Sequence, residues 1–286
     1  MTTLNLAAEI TYRRMTDSDL PAAHRLSQAV RWPHRLEDWQ LVHRLGSGFV
    51  AERDGEIIGT AMCWSQGSYY ASLGLIIVSP EAQGKGIGRT LMQQALDEIG
   101  DRNCLLYATP AGQPLYEKLG FKAVGEVHQH QGTVVQPEVV APPTGERIRP
   151  LGNNDRARLI ELAAESTGMS RATIMNELLQ VAECVVIDSY GELVGFALIR
   201  RFGHGYTIGP VVAPDPERAK AMISYWVGAR VDSFVRIDVQ DSGGLSPWLN
   251  ELGLVKVDTV VAMVRGEPAH VGPGMKQFAI INQALG

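Results

Sequence analysis

Gly84, Gly86 and Gly88 stand at alternate positions in the run Leu73 to Gly100, after an apolar stretch stopped by Pro80 and before Leu91, Ala95, Leu96 and Ile99, which recur at helical spacing. In such a strand, turn and helix, the backbone N–H groups of the turn lie uncovered by side chains. They can cradle an anion, and the positive end of the helix dipole strengthens the attraction. Lys85 and Arg89 add positive charge at the rim. A diphosphate suits this chemistry, although a bare G-x-G pattern also serves a tight turn. The dinucleotide fingerprint does not fit, because the turn lies in mid-domain and no acidic ribose reader follows in a parallel strand. A P-loop does not fit either, since no G-K-[ST] follows.

Other residue types invite chemistry with less definition. Arg31 to Trp39 packs two tryptophans, a histidine and two acids into nine residues. Trp32 and His34 are candidates for lining a pocket; the competing reading is an amphipathic helix started at Pro33. His128 and His130 share one face of a strand and could line a binding site or hold a metal, but no third ligand is in view and no metal site is assigned. Cys63, Cys104 and Cys184 are far apart, with no C-x-x-C pair. They read as ordinary thiols of a reducing compartment, and the apolar strand contexts of Cys63 and Cys104 argue against a nucleophile.

The elements that must position these residues occur twice. TYRRMTDSDLPAAHRLS from Thr11 resembles RIRPLGNNDRARLIELA from Arg147, a short strand, a polar turn and an amphipathic helix. FVAERDGEIIGTAM from Phe49 resembles VVIDSYGELVGFAL from Val185, each a hairpin with glycine in its turn. LGLIIVSPEAQ from Leu73 matches IGPVVAPDPER from Ile208, and PLYEKLGF from Pro114 matches PWLNELGL from Pro247. Fifteen residues separate Gly59 from Gly74 and fourteen separate Gly195 from Gly209, so the register is kept. Gln136 to Glu146, with three prolines and a glycine, reads as the linker. The expected organisation is two domains, 1–143 and 144–286, each an α/β (α+β) fold around one mixed sheet, the second ending in a Gly/Pro-rich tail.

With 26 basic and 31 acidic side chains the net charge is −5, and 45% of residues are hydrophobic. Those values exclude a disordered chain and leave no basic field for tracking a phosphate backbone, so nucleic acid is not an expected partner. No apolar run approaches the length of a membrane span, and the start lacks a signal-peptide core; the expected location is the cytoplasm.

Gln83-Gly84-Lys85-Gly86-Ile87-Gly88, the preceding Val78-Ser79-Pro80 and the later Pro114-Leu115-Tyr116-Glu117-Lys118-Leu119-Gly120-Phe121 together resemble, in order and distance, the GCN5-related N-acetyltransferases. The resemblance covers Thr11 to Gly132 well, and the second half looks like a degenerate copy. It implies two tandem domains of that fold, with acetyl-CoA bound by the first. Ile76, Ile77 and Val78 would offer backbone groups to the pantetheine arm. Gln83, Gly84, Lys85, Gly86, Ile87, Gly88, Arg89 and Thr90 would hold the pyrophosphate. Thr109 falls where the family often has a cofactor-contacting asparagine. Tyr116 falls where a tyrosine protonates the departing thiolate. An acceptor pocket would draw on Trp32, His34 and His128.

The family's usual general base is missing. Cys104 stands at the glutamate position, and Tyr69 to Val78 holds neither carboxylate nor histidine. In the second half, Ala213 to Lys220 has no glycine; Asp215 and Glu217 would repel a diphosphate, and Pro216 removes a donor. The expected activity is direct acetyl transfer from acetyl-CoA to a primary amine of a small molecule. An acetyl-CoA-binding regulatory or scaffold protein and a protein amino-group acetyltransferase remain the alternatives. The second half would then support the acceptor pocket or a homodimer contact.

Overall fold

The computed structural model describes residues 9–286. Its first stretch contains β1 (Thr11–Arg14), α1 (Leu20–Ala29), α2 (Leu36–Leu45), β2 (Ser47–Arg53), β3 (Glu56–Gln66), β4 (Tyr70–Val78), α3 (Ile87–Ile99), β5 (Asn103–Ala108), α4 (Gln113–Lys118) and β6 (Lys122–Thr133). The same order returns as β7 (Glu146–Pro150), α5 (Arg156–Thr167), α6 (Ala172–Val181), β8 (Glu183–Ser189), β9 (Glu192–Phe202), β10 (Gly205–Ala213), α7 (Pro216–Gly228), β11 (Phe234–Gln240), α8 (Ser246–Glu251) and β12 (Val255–Arg265), and β13 (Lys276–Ala279) closes the chain. The fold is a mixed α/β arrangement of mostly antiparallel sheet and flanking helices. Among the described residues, no helix is long and apolar enough to cross a membrane.

Two compact units emerge from this order. The first comprises residues up to Trp64 together with Leu73–Gly100. In it β1, β2, β3 and β4 lie side by side, with Arg13 opposite Val50 and Val50 opposite Thr60. Across this sheet α3 buries Ile87, Leu91, Met92, Leu96 and Ile99, each contributing about 1.5–3 kcal/mol of transfer free energy. Gly59 lets the helix come close: a Cβ there would lie 2.9 Å from Leu91 Cδ1 and 3.3 Å from the Ile77 carbonyl oxygen.

The second unit comprises Ser65–Ser72 and Asp101–Gly286. Its strands run β5, β12, β6, β11, β13, β10, β9, β8, β7. All its described pairs are antiparallel except β10 with β11, where Tyr206 faces Val235. Strand β12, which follows the linker by more than a hundred residues, lies between two strands that precede it: Met263 opposes Leu106 of β5, and Val261 opposes Glu126 of β6. The main core of this unit gathers β8 to β11 under α7 and α8, with Met222, Trp226 and Phe278 among its large buried side chains.

One local device appears in both units. The Arg13 guanidinium donates to Asp19 at 2.7 Å and to Glu52 at 2.7 Å, tying the loop before α1 to β2. Arg149 does the same with Asp155, at 3.1 Å from its Nη2, and with Asp188, at 2.8 Å from its Nε.

Candidate functional site

Strand β4 enters the glycine-rich turn through an unusual residue. Leu75 is buried inside the strand yet has φ +51°, a left-handed conformation that costs a branched L-residue about 1–2 kcal/mol. It is held there in part by Thr60, whose Oγ1 donates to the Leu75 carbonyl at 2.8 Å. Past this kink Ile76 and Val78 are half-buried and Ile77 is buried. The Ser79 amide then bonds the Ile58 carbonyl at 2.8 Å, fixing where the strand stops.

The turn is built from residues that only glycine could be. Gly84 has φ +77° and Gly86 φ +79°, and a Cβ at either would meet no atom within 4 Å. Glycine is therefore required by backbone conformation, and the space above it is open. Gly86 is the N-cap of α3 and supplies no capping side chain, so the first amides of a thirteen-residue helix lack the usual capping partner. Gln83, Lys85, Arg89 and Thr90 are exposed around them, Gly88 is half-buried and Ile87 anchors the helix in the core. Gln83 Nε2 donates to the Val78 carbonyl at 3.1 Å, pinning the turn to the end of β4. This is an anion cradle of backbone donors with cationic side chains at its edge, and its donor set fits a diphosphate.

The corresponding end in the second half is closed by its own side chain. Asp215 caps α7, its carboxylate accepting from the Arg218 amide at 3.0 Å, and Arg218 donates in turn to Asp215 and to Glu146. A carboxylate already sits where an anion would bind.

Thr109 and Tyr116 belong to the second unit. The Thr109 carbonyl accepts from the Gly112 amide at 3.0 Å and the Gln113 amide at 3.1 Å, so it opens α4. Tyr116 is 7% exposed, with its ring packed edge-on to Phe121 at 6.2 Å. Gly112 makes room for the phenol, since a Cβ there would lie 3.1 Å from the hydroxyl. Burial pushes the phenol up to about 12, which keeps it protonated at any physiological pH.

Trp32 and His34 lie in the first unit, with ring centroids 5.9 Å apart, and Trp39 is 6.4 Å from His34. Helix α2 begins at Leu36, three residues beyond Pro33, because the Asp38 carboxylate accepts from the Arg35 amide at 2.9 Å and sets the helix start there. Burial pushes the Cys63 thiol up to about 12; Cys104 is buried as well. Neither has the environment of a nucleophile.

The histidine pair of β6 is more organised than the sequence shows. His130 Nδ1 lies 2.8 Å from the Leu254 carbonyl, to which it must donate, so its Nε2 is the acceptor for the Ser246 hydroxyl at 2.7 Å. Burial pushes His130 down, keeping it neutral. With its proton committed, Ser246 Oγ accepts from His128 Nδ1 at 3.2 Å. The far nitrogen of His128 then lies 3.6 Å from Glu126 and 3.8 Å from Asp241. Both carboxylates line a cavity of about 450 Å³ in the second unit. Ser246, Glu126 and Asp241 were beyond sequence reasoning, since α8 and the 3-10 turn after β11 reach β6 only through the sheet; the H-x-H spacing was the one available signal. Among the described residues, no cluster of three or more His, Cys, Asp or Glu is arranged to hold a metal.

Comparison with known proteins finds one family in both halves of the chain. Residues 12–121 match the acetyltransferase (GNAT) family and residues 159–279 match an acetyltransferase (GNAT) domain. The chain is 26% identical over 268 residues to the uncharacterized N-acetyltransferase YitH of Bacillus subtilis (strain 168), a match covering 92% of this chain and 93% of that protein. It is 27% identical over 280 residues to the holothin acyltransferase of Pseudoalteromonas sp. (strain SANK 73390), covering 89% and 93%. A solved structure of an acetyltransferase candidate from Pyrococcus horikoshii superposes with a TM-score of 0.80 at 18% identity, covering 100% of this chain and 99% of that one, which speaks for the fold. With a match in each half, an open glycine turn in the first and a repeated order of elements, the chain belongs to the GCN5-related N-acetyltransferase family as a member with two such domains in tandem.

Proposed function

We propose that the chain transfers an acetyl group from acetyl-CoA to a primary amine of a small molecule by direct attack. Domain 1–143 supplies the co-substrate turn, and domain 144–286 is a copy without one. The observation that carries this reading is the contrast between two helix ends: α3 opens on left-handed glycines with no capping side chain, whereas Asp215 fills the equivalent end of α7. When bound, the co-substrate brings an activated acyl carbon and a thiolate leaving group. The amides of Gly84 to Arg89, with the side chains of Lys85, Arg89 and Thr90 around them, hold its pyrophosphate, and the β4 backbone at Ile76 to Val78 binds the arm.

Tyr116 supplies the proton that the departing thiolate needs. Its raised value keeps the phenol in the donor form but makes it a weaker acid, and the desolvation that raises it would raise a nearby thiolate too, which offsets that loss. The burial of Cys63 and Cys104 favours direct attack over a covalent acyl-enzyme. The wide spacing of Cys63, Cys104 and Cys184 along the chain suits a reducing compartment, in keeping with a cytoplasmic enzyme.

Two variants test the reading through thiol release and calorimetry. Tyr116→Phe is expected to lower kcat by about 100-fold with acetyl-CoA affinity nearly unchanged. Gly86→Glu, which adds a carboxylate and a side chain at φ +79°, is expected to abolish acetyl-CoA binding. Unchanged turnover in the first removes Tyr116 from the reaction. Tight acetyl-CoA binding with no turnover on any amine would instead identify a binding protein.

A further inference from the structure

Strands β10 and β11 of the second unit run parallel but pair for only three residues, from Tyr206 opposite Val235 to Ile208 opposite Ile237. Both strands continue, β10 to Ala213 and β11 to Gln240, and β13 enters between them. We propose that β13 is a resident occupant of the second copy's co-substrate cleft, where it takes the backbone groups that an acyl-carrying arm would take. The proposal rests on the acyl-transfer reading, which gives the matching groups of β4 to the arm, and it says what fills that place in domain 144–286.

The repeat identifies those groups. LGLIIVSPEAQ from Leu73 matches IGPVVAPDPER from Ile208, so residues 211–213 stand where Ile76, Ile77 and Val78 stand in β4. Toward β9, Val211 opposes Ala197 and Val212 opposes Phe196. On the other edge, Val211 opposes Ala279, Val212 opposes Gln277 and Ala213 opposes Lys276. An arm arriving there would meet an edge whose N–H and C=O groups are already paired. On its far side β13 meets β11: Ala279 opposes Val239, and the Ile280 amide donates to the Asp238 carbonyl at 2.9 Å.

Close contacts and buried side chains keep the strand in the fork. A Cβ on Gly209 would lie 2.1 Å from the Ile280 carbonyl oxygen, so glycine there lets the occupant's backbone reach the point where the two strands part. Phe278, Ala279, Ile280 and Ile281 are buried, and the first two belong to the main core of the unit. A slender arm offers no such side chains, so the occupant completes the core as well as the ladder. Beyond it, the buried Arg171 guanidinium donates to the Leu285 carbonyl at 3.0 Å and to Gln66 Oε1 at 2.6 Å. Asn282 Oδ1 accepts from the amides of Ala284 and Leu285 at 2.9 and 2.8 Å.

The second copy is therefore closed to a co-substrate at two separate places. Asp215 fills the phosphate end and β13 fills the arm end. Removing the carboxylate alone would not open the cleft, because the edge that binds the arm would still be paired.

The first measurement is hydrogen exchange of the full chain by mass spectrometry, without ligand and with saturating acetyl-CoA. Residues 276–281 are expected to exchange about 10⁴-fold or more slowly than an unstructured peptide, because an interior strand opens only with its unit. Acetyl-CoA should leave that protection unchanged. Exchange close to the unstructured rate, or protection lost when acetyl-CoA is added, overturns the assignment.

The second measurement uses Gly209→Ala, whose methyl meets the Ile280 carbonyl and drives β13 out of the fork, and Phe278→Ala, which loosens the same strand more mildly. The probe is S-acetylpantetheine, an arm without the diphosphate that Asp215 would repel. Calorimetry is expected to find one site for it in wild type, two in a variant whose residues 276–281 have lost protection, and one acetyl-CoA site in every chain. A released strand with no second S-acetylpantetheine site overturns the proposal, and so do two such sites in wild type. Unaltered protection in both variants overturns it as well, since the fork would then not depend on the close approach at Gly209. If wild type binds neither acetyl-CoA nor S-acetylpantetheine, the acyl-transfer reading fails and the cleft loses its assigned ligand, while the exchange result, which needs no ligand, reports on β13 by itself.

Discussion

Asp19 shows how one side chain can tie stability to pH. The Arg13 guanidinium, with smaller help from Thr16, holds its carboxyl down to about 2. A carboxylate depressed in the folded state contributes stability that is fully present above the ordinary range near about 4 and is lost as pH falls toward about 2. Asp19→Asn is therefore expected to be less stable than wild type at pH 7 by about 1–2 kcal/mol, an amount reduced by the solvent around the partly exposed Arg13. Acid titrations followed by circular dichroism should show the two proteins converging below pH 2. At the same scale Tyr116, pushed up to about 12, should leave no limb of its own in a rate profile below about pH 11.

Elements place the candidate site residues, and α3 is the one on which the proposed co-substrate turn depends. Gly59→Val would push a branched side chain into Leu91 and Ile87, shifting the helix start that carries the turn. We expect a stability loss of about 1–3 kcal/mol by thermal unfolding and a higher KM for acetyl-CoA. Local elements of this kind were legible in the sequence. The Gly84 to Gly88 turn, the stop at Pro80 and the apolar spacing of α3 are all encoded within thirty residues, and the repeat doubled the signal. The Leu75 kink was not legible, because nothing in an apolar strand marks which residue will turn left-handed. The Ser246–His128 contact was not legible either, since it joins residues 118 positions apart through strand pairing that periodicity does not specify. Nor was the Arg13 clamp: its partners Asp19 and Glu52 repeat as Asp155 and Asp188, but only the structure shows that they converge on one guanidinium.

For the molecule as a whole, the placement of β12 decides whether the first domain can stand alone. A fragment of residues 1–143 lacks β12, which pairs with both β5 and β6, and β11, which pairs with the other side of β6, so three strand edges with open N–H and C=O groups face solvent. That fragment is expected to be aggregated or unfolded by size-exclusion chromatography and circular dichroism, whereas co-expression with residues 144–286 should restore a soluble complex. The same arrangement has a consequence in time. During synthesis Tyr116 and its flanking strands leave the ribosome more than 120 residues before β12 does, a delay of roughly 6 to 25 s at ordinary translation rates. Throughout that interval β5 and β6 lack their shared partner, so the strands flanking the proposed proton donor wait for a strand from the second half, and the nascent protein is most open to misassembly or to chaperone capture while its first half is already outside.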